Sequence, residues 1–276
     1  MKAVLRLELA KLAGRRSLMY LLLPNLYTLF YTCALGLALA TRSAGWTEFL
    51  ASLVTSSLAL HPYVCLTAYP MCLLMLCADL WGAEAADGTL RTLVLTQVPR
   101  GRLLAARVLL AAALVTCAFA VYFAVFFLDV AVLARVVPAA VWAKIGFAVG
   151  SGLVNMVPFA GAFFVGAVAL ALWVTLMALC ANRTSTVGML SVASLVALAV
   201  GLPMVEEWVR PGSTWSGLVF TQAWVELTGK EMLKAVLHGP GPWGASLARV
   251  AGVLAGNALV LYPACLWLFR RREFVD

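Results

Sequence analysis

Six stretches of this chain stay apolar for about the 20 residues that a helix needs to cross a bilayer. They run from about Ser17 to Ala40, Leu58 to Leu80, Leu103 to Ala134, Val157 to Cys180, Thr186 to Val205 and Ser246 to Phe269. Lipid offers no hydrogen bonds to the backbone, so each stretch must satisfy its own N–H and C=O groups, and a helix does this within one segment. A β-barrel would show short alternating segments instead. Composition agrees: 64% of the 276 residues are hydrophobic and 12% charged, with a mean hydropathy of +0.98. A soluble domain is nearer half apolar and a quarter charged. The expected fold is therefore an all-α polytopic membrane protein, one transmembrane domain over 1–276 with six spans.

The net charge of +8 sits in clusters that bracket the apolar runs. That pattern fits anionic lipid headgroups and membrane topology, and no basic stretch interleaved with aromatics suggests nucleic acid. Residues 1–16 place Lys2, Arg6, Lys11, Arg15 and Arg16 among Val4, Leu5, Leu7, Leu9 and Leu12. This reads as an amphipathic helix in the headgroup layer. Ala38-Leu39-Ala40 resembles a signal cleavage site, but the apolar run before it is too long for a signal peptide, so an uncleaved anchor is expected. With both termini inside, thirteen of the twenty Lys and Arg residues fall on the cytoplasmic side, which supports that orientation.

Several features interrupt the spans. His61, Pro62 and Pro70 fall in the second, and Asp129 lies toward the far end of the third. Gly146, Gly150, Gly152 and Pro158 suggest that the region before Val157 is broken or interfacial. The polar region 206–245 carries Trp208, Trp215, Trp224 and Trp243 and is expected outside. Within it, Ser216 to His238 reads as a helix lying on the outer surface or dipping in, with Glu226 and Lys230 as an i,i+4 pair. The seven cysteines lie in or beside apolar runs with no C-x-x-C, as small packing residues do.

Catalytic and nucleotide-binding patterns are missing. No G-x-x-x-x-G-K-[ST] occurs, no H-E-x-x-H, no G-x-S-x-G and no metal-spaced His/Cys cluster. Few ionisable residues fall in mid-span, which disfavours a proton- or sodium-coupled carrier. Any energy for uphill movement is then expected from another subunit.

The longest polar interruption of the first half, 79–107, carries the one motif. Glu84-x-x-x-Gly88-Thr89-Leu90-Arg91 is followed by Leu93 and Val94, then by Val98-Pro99-Arg100, and leads through Leu103-Leu104 to Arg107. This resembles the type-2 ABC transporter permease family, whose members carry E-x-x-x-G-T-L-[RK] between the second and third spans, then a Pro-Val-Ser-Arg-like element and a basic residue at the next span. Gln97 stands where that family has proline, and Pro99 where it often has serine. The resemblance implies a cytosolic coupling helix docked on a soluble ATPase, with Glu84, Asp87, Gly88, Thr89, Leu90, Arg91, Pro99, Arg100 and Arg102 as the coupling residues. It also implies a second permease subunit, two ATPase subunits that bind ATP and Mg, no cofactor or enzymatic site in this chain, and export across a bacterial inner membrane. Two rival readings are a membrane-embedded lipid-modifying enzyme and a non-transporting immunity or scaffold protein.

Overall fold

The computed structural model of the chain describes residues 68–83, 99–136, 149–181, 184–201, 218–231 and 243–271, with 203–204 and scattered positions among 6–52. Among the described residues the ordered elements are helical, and no strand occurs. We number the main helices α1 (Ala68–Trp81), α2 (Arg100–Val136), α3 (Val149–Cys180), α4 (Thr184–Val196), α5 (Phe220–Glu226) and α6 (Trp243–Arg271). Wide π turns extend three of them: Asp79–Ala83 on α1, Ala197–Gly201 on α4 and Leu227–Glu231 on α5. A 3₁₀ helix, Arg16–Leu22, falls where the first expected span begins.

Three helices are long and apolar enough to cross a membrane: Arg100–Val125 of α2, Val154–Cys180 of α3 and Gly244–Arg271 of α6. At about 1.5 Å per residue each exceeds the ~30 Å hydrocarbon layer. α1 is a shorter apolar helix. α4 and its π turn cover most of the fifth expected span, while the greater part of the first lies outside the described residues.

From Val149 on, the expected break before Val157 is absent; residues 145–148 lie outside the described residues. α3 runs without interruption from Val149 through Pro158 to Cys180. Proline removes one backbone donor, a loss that membrane helices tolerate when neighbouring helices hold them in place. Here that packing follows at once, because Phe159 and Phe163 stack on Phe119 of α2 at 5.6 and 4.2 Å. Tyr69 of α1 meets the same group edge-on, 5.7 Å from Phe119 and 5.6 Å from Phe163.

α3 is the hub. Of its apolar window 61% is buried, against 17% for α6. Contacts fix the directions. The Cys265 thiol lies 3.3 Å from the Leu172 carbonyl oxygen, and Leu254 lies beside Gly166, so α3 and α6 run parallel. The start of α2 touches the end of α6, where the Tyr262 hydroxyl donates to the Gly101 carbonyl at 3.3 Å, so α2 runs the other way. α1 opposes α2, with Tyr69 donating to the Ala118 carbonyl at 3.4 Å and Leu80 lying by Arg107. Polar groups on the long helices bond within their own helix: Thr116 to Ala112, Thr175 to Ala171 and Asn257 to Val253. α4 is tied to α3 by the Trp173 indole, which donates to the Ser194 hydroxyl at 3.0 Å.

Of the helix expected over 216–238, residues 218–231 are described. They form α5 plus its π turn, which follows the dipping alternative: it packs along the middle of α3 and α6 instead of lying across their ends. Phe220 sits 5.3 Å from Trp173, Trp224 sits 5.0 Å from Phe163, and the Leu218 carbonyl accepts from Asn257 at 2.8 Å. From there the segment reaches the first turn of α6, where Ser246 donates to Glu231 at 2.7 Å. Glu226 pairs with Arg249 of α6; the Lys230 side chain of the expected pair lies outside the described residues. Tertiary burial of Phe220, Thr221, Ala223 and Trp224 outweighs the interfacial preference of tryptophan.

Gly166 makes this packing possible. A Cβ there would lie 2.8 Å from the Trp224 ring and 3.2 Å from Leu254 Cδ1, inside van der Waals contact. Gly166→Ala is therefore expected to destabilise the protein by about 1–3 kcal/mol, the usual cost of overpacking. Gly256→Ala, where a Cβ would meet nothing within 4 Å, should leave stability unchanged. Thermal unfolding of the two variants in detergent checks the difference.

Candidate functional site: a clasp at one end of the bundle

α1, α3 and α6 all end at the face where α2 begins. Three helix C-termini, each with unsatisfied carbonyls and partial negative charge, thus surround one N-terminus. The first two turns of α2 supply the complementary cations.

Pro99 opens α2. Its carbonyl accepts the N–H groups of Arg102 at 2.8 Å and Leu103 at 3.2 Å, and proline suits a helix start because no donor is lost there. Leu103 and Leu104 then turn inward and are buried, whereas Pro99 and Arg102 are exposed. Arg100 is half-buried and reaches across to α6. Its Nη1 donates to the carbonyls of Phe269 at 3.0 Å and Arg270 at 2.8 Å, and its guanidinium lies 6.0 Å from the Phe269 ring centre. It caps the C-terminus of α6.

Arg107, two turns on, is fully buried. Nη1 donates to the Leu80 carbonyl at 2.9 Å, capping the end of α1, and the guanidinium stacks over Trp81 at 4.7 Å. Its charge is balanced by Glu8, also fully buried, with Nε 3.3 Å from Oε2 and Nη2 3.4 Å from Oε1. Trp81 meets Phe269 edge-on at 5.5 Å and closes the ring. The assembly joins residue 8, the end of α1, the start of α2 and the end of α6. Removing one partner of a buried ion pair leaves an uncompensated charge and costs about 3–5 kcal/mol, so the four parts depend on each other.

The segment between α1 and α2 is attached at both ends to this clasp. Of the residues expected to couple, Pro99, Arg100 and Arg102 lie on it. Glu84, Asp87, Gly88, Thr89, Leu90 and Arg91 lie outside the described residues. Among the described residues no three His, Cys, Asp or Glu side chains come together as a metal site would require.

No protein-family model matches the chain, and no curated protein matches its sequence. The functional reading rests on the residues themselves.

Sequence reasoning missed Glu8, Trp81 and Phe269. A signal for Glu8 was present: it is the one acid among residues 1–16, and helical spacing puts it on the face of Val4, Leu5 and Leu12. An acid on an apolar face asks for a buried cation. Trp81 and Phe269 carry no comparable signal, since their roles arise only when α1, α2 and α6 meet.

The geometry separates two arginines that look alike in sequence. Arg100→Gln removes two bonds to helix-end carbonyls and should cost about 0.5–2 kcal/mol. Arg102→Gln, at an exposed position, should cost less than about 0.5 kcal/mol. Unfolding midpoints of the two variants in the same detergent test this order.

Proposed function

We propose that the chain is the membrane-spanning subunit of an ATP-binding cassette exporter. The observation that carries the reading is the segment Glu84-x-x-x-Gly88-Thr89-Leu90-Arg91 between two apolar helices, continuing through Pro99-Arg100 to Arg107. Two features support it. Both ends of the segment are fixed to a packed clasp, so a force applied to the segment would reach α1, α2 and α6 together. The face that carries the clasp also bears Arg100, Arg102, Arg270 and Arg271, a charge pattern suited to the cytoplasmic side.

In this reading the fold has six spans with both termini in the cytoplasm of a bacterial cell, in the inner membrane. Two such subunits, identical or related, stand above two ATPase subunits that bind ATP and Mg. The short helix expected near 84–91 docks in a groove of the ATPase through Glu84, Asp87 and Arg91 with apolar contacts from Leu90 and Leu93. Closure of the ATPases on ATP moves that helix, and the clasp passes the movement to the spans. The translocation path lies between the two permeases, along the first, second and fifth spans. The chain hydrolyses nothing itself.

Glu84→Lys is expected to insert normally but to weaken ATPase assembly, or to uncouple hydrolysis from export, in reconstituted vesicles. Arg183→Glu, between the fourth and fifth expected spans and outside the motif, should affect the same ratio much less. Normal coupling in Glu84→Lys, or an equal defect in both variants, would overturn the assignment.

A further inference from the structure

We infer that Glu8 is a positioning residue for the clasp: through Arg107 it latches the N-terminal segment around residues 6–10 to α2, so that this segment moves with the start of α2 and the end of α1. The inference deepens the transport reading and rests on it for the last step only.

The geometry is specific. A basic amphipathic helix needs no acid to bind anionic headgroups, and an acid there weakens that binding. Yet Glu8 is fully buried, and both its oxygens face the Arg107 guanidinium at 3.3 and 3.4 Å. The neighbouring Arg6, Leu9 and Ala10 are exposed, so one face of this segment is held while the other remains open to lipid and water. Arg107 in turn holds the Leu80 carbonyl and the Trp81 ring, one turn of chain before the 84–98 segment begins. A headgroup anchor alone would slide in the membrane plane independently of α2. A buried, desolvated pair cannot part without exposing two charges to an apolar setting, so the segment and α2 move as one.

Trypsin reads the latch directly, because Lys2, Arg6, Lys11, Arg15 and Arg16 are cleavage sites that flank Glu8 in the sequence. The full chain in lipid nanodiscs is digested and the N-terminal peptides are followed by mass. When opening and closing are fast, cleavage tracks the open population. Glu8→Gln is expected to speed cleavage about a hundredfold, the factor that corresponds to ~2.8 kcal/mol. Since Glu8→Gln strands a buried cation, the double variant Glu8→Gln/Arg107→Gln provides a neutral pair that can still fold, and it should still speed cleavage about tenfold. Glu8→Asp, which keeps the charge, should recover part of the protection. Wild-type cleavage rates in a folded double variant would overturn the latch.

The second arm uses the complex with any ATPase subunit that co-purifies with the chain, held with ATP and vanadate. Trapping should change the cleavage rate of the N-terminal segment in the wild type and leave the double variant unchanged, a response that a merely structural pair would not give. Equal responses in both would overturn the transmission. If the first arm holds and no ATPase associates, the latch stands while the transport reading and the transmission built on it fall.

Discussion

A guanidinium withdrawn from water has to be answered on every side, and Arg107 is answered by four residues from three separate parts of the chain, one of them acting through another. Glu8 balances its charge, the Leu80 carbonyl takes a donor, Trp81 covers its face, and Trp81 leans on Phe269. No two of these residues are neighbours in sequence except the pair on α1. Because a half-completed arrangement leaves a buried charge, the cost falls on every partly assembled state. This gives the end of the bundle one arrangement instead of several, and it places the ends of the 84–98 segment on a common base.

The direction of the helices explains why arginines stand there. α1, α3 and α6 point the same way, so their C-terminal carbonyls gather on one face. Arg100 meets the carbonyls of α6 and Arg107 that of α1. Counted along the sequence, both arginines look like topology markers of the cytoplasmic side. In the folded chain they neutralise helix ends, a need set by packing as well as by the membrane. In the orientation proposed above the two roles coincide, because a span that ends on the inner face brings its negative end to the side where positive charge is favoured. Arg102, between them in sequence and exposed, has no helix end to serve and is left to solvent or a partner.

Much of the fold could be read from apolar periodicity and length, because lipid imposes helices on any long apolar segment. α2 and α6 occupy the expected third and sixth spans to within a few residues, and α3 contains the fourth. Where the reading failed, a local rule met a tertiary contact. Pro158 suggested a break, but Phe159 and Phe163 are locked against Phe119 immediately after it. Trp224 suggested a membrane interface, but Gly166 opens a place for its ring between α3 and α6. Of the candidate site, Pro99, Arg100 and Arg102 were legible as a polar turn before a span, whereas the pairing of Arg107 with Glu8 joins residues 99 apart and follows only from the fold.

α6 connects the two ends of this molecule although it is the least enclosed of the three long helices. Its first half holds the inserted segment, through Ser246 to Glu231, Arg249 to Glu226 and Asn257 to the Leu218 carbonyl. Its second half holds the start of α2, through Tyr262, Leu266 and Phe269. Pro263 lies within the helix just inside that second half. Proline removes the backbone bond that would tie it to the preceding turn, so the second half can tilt with α2 at lower cost than an unbroken helix allows.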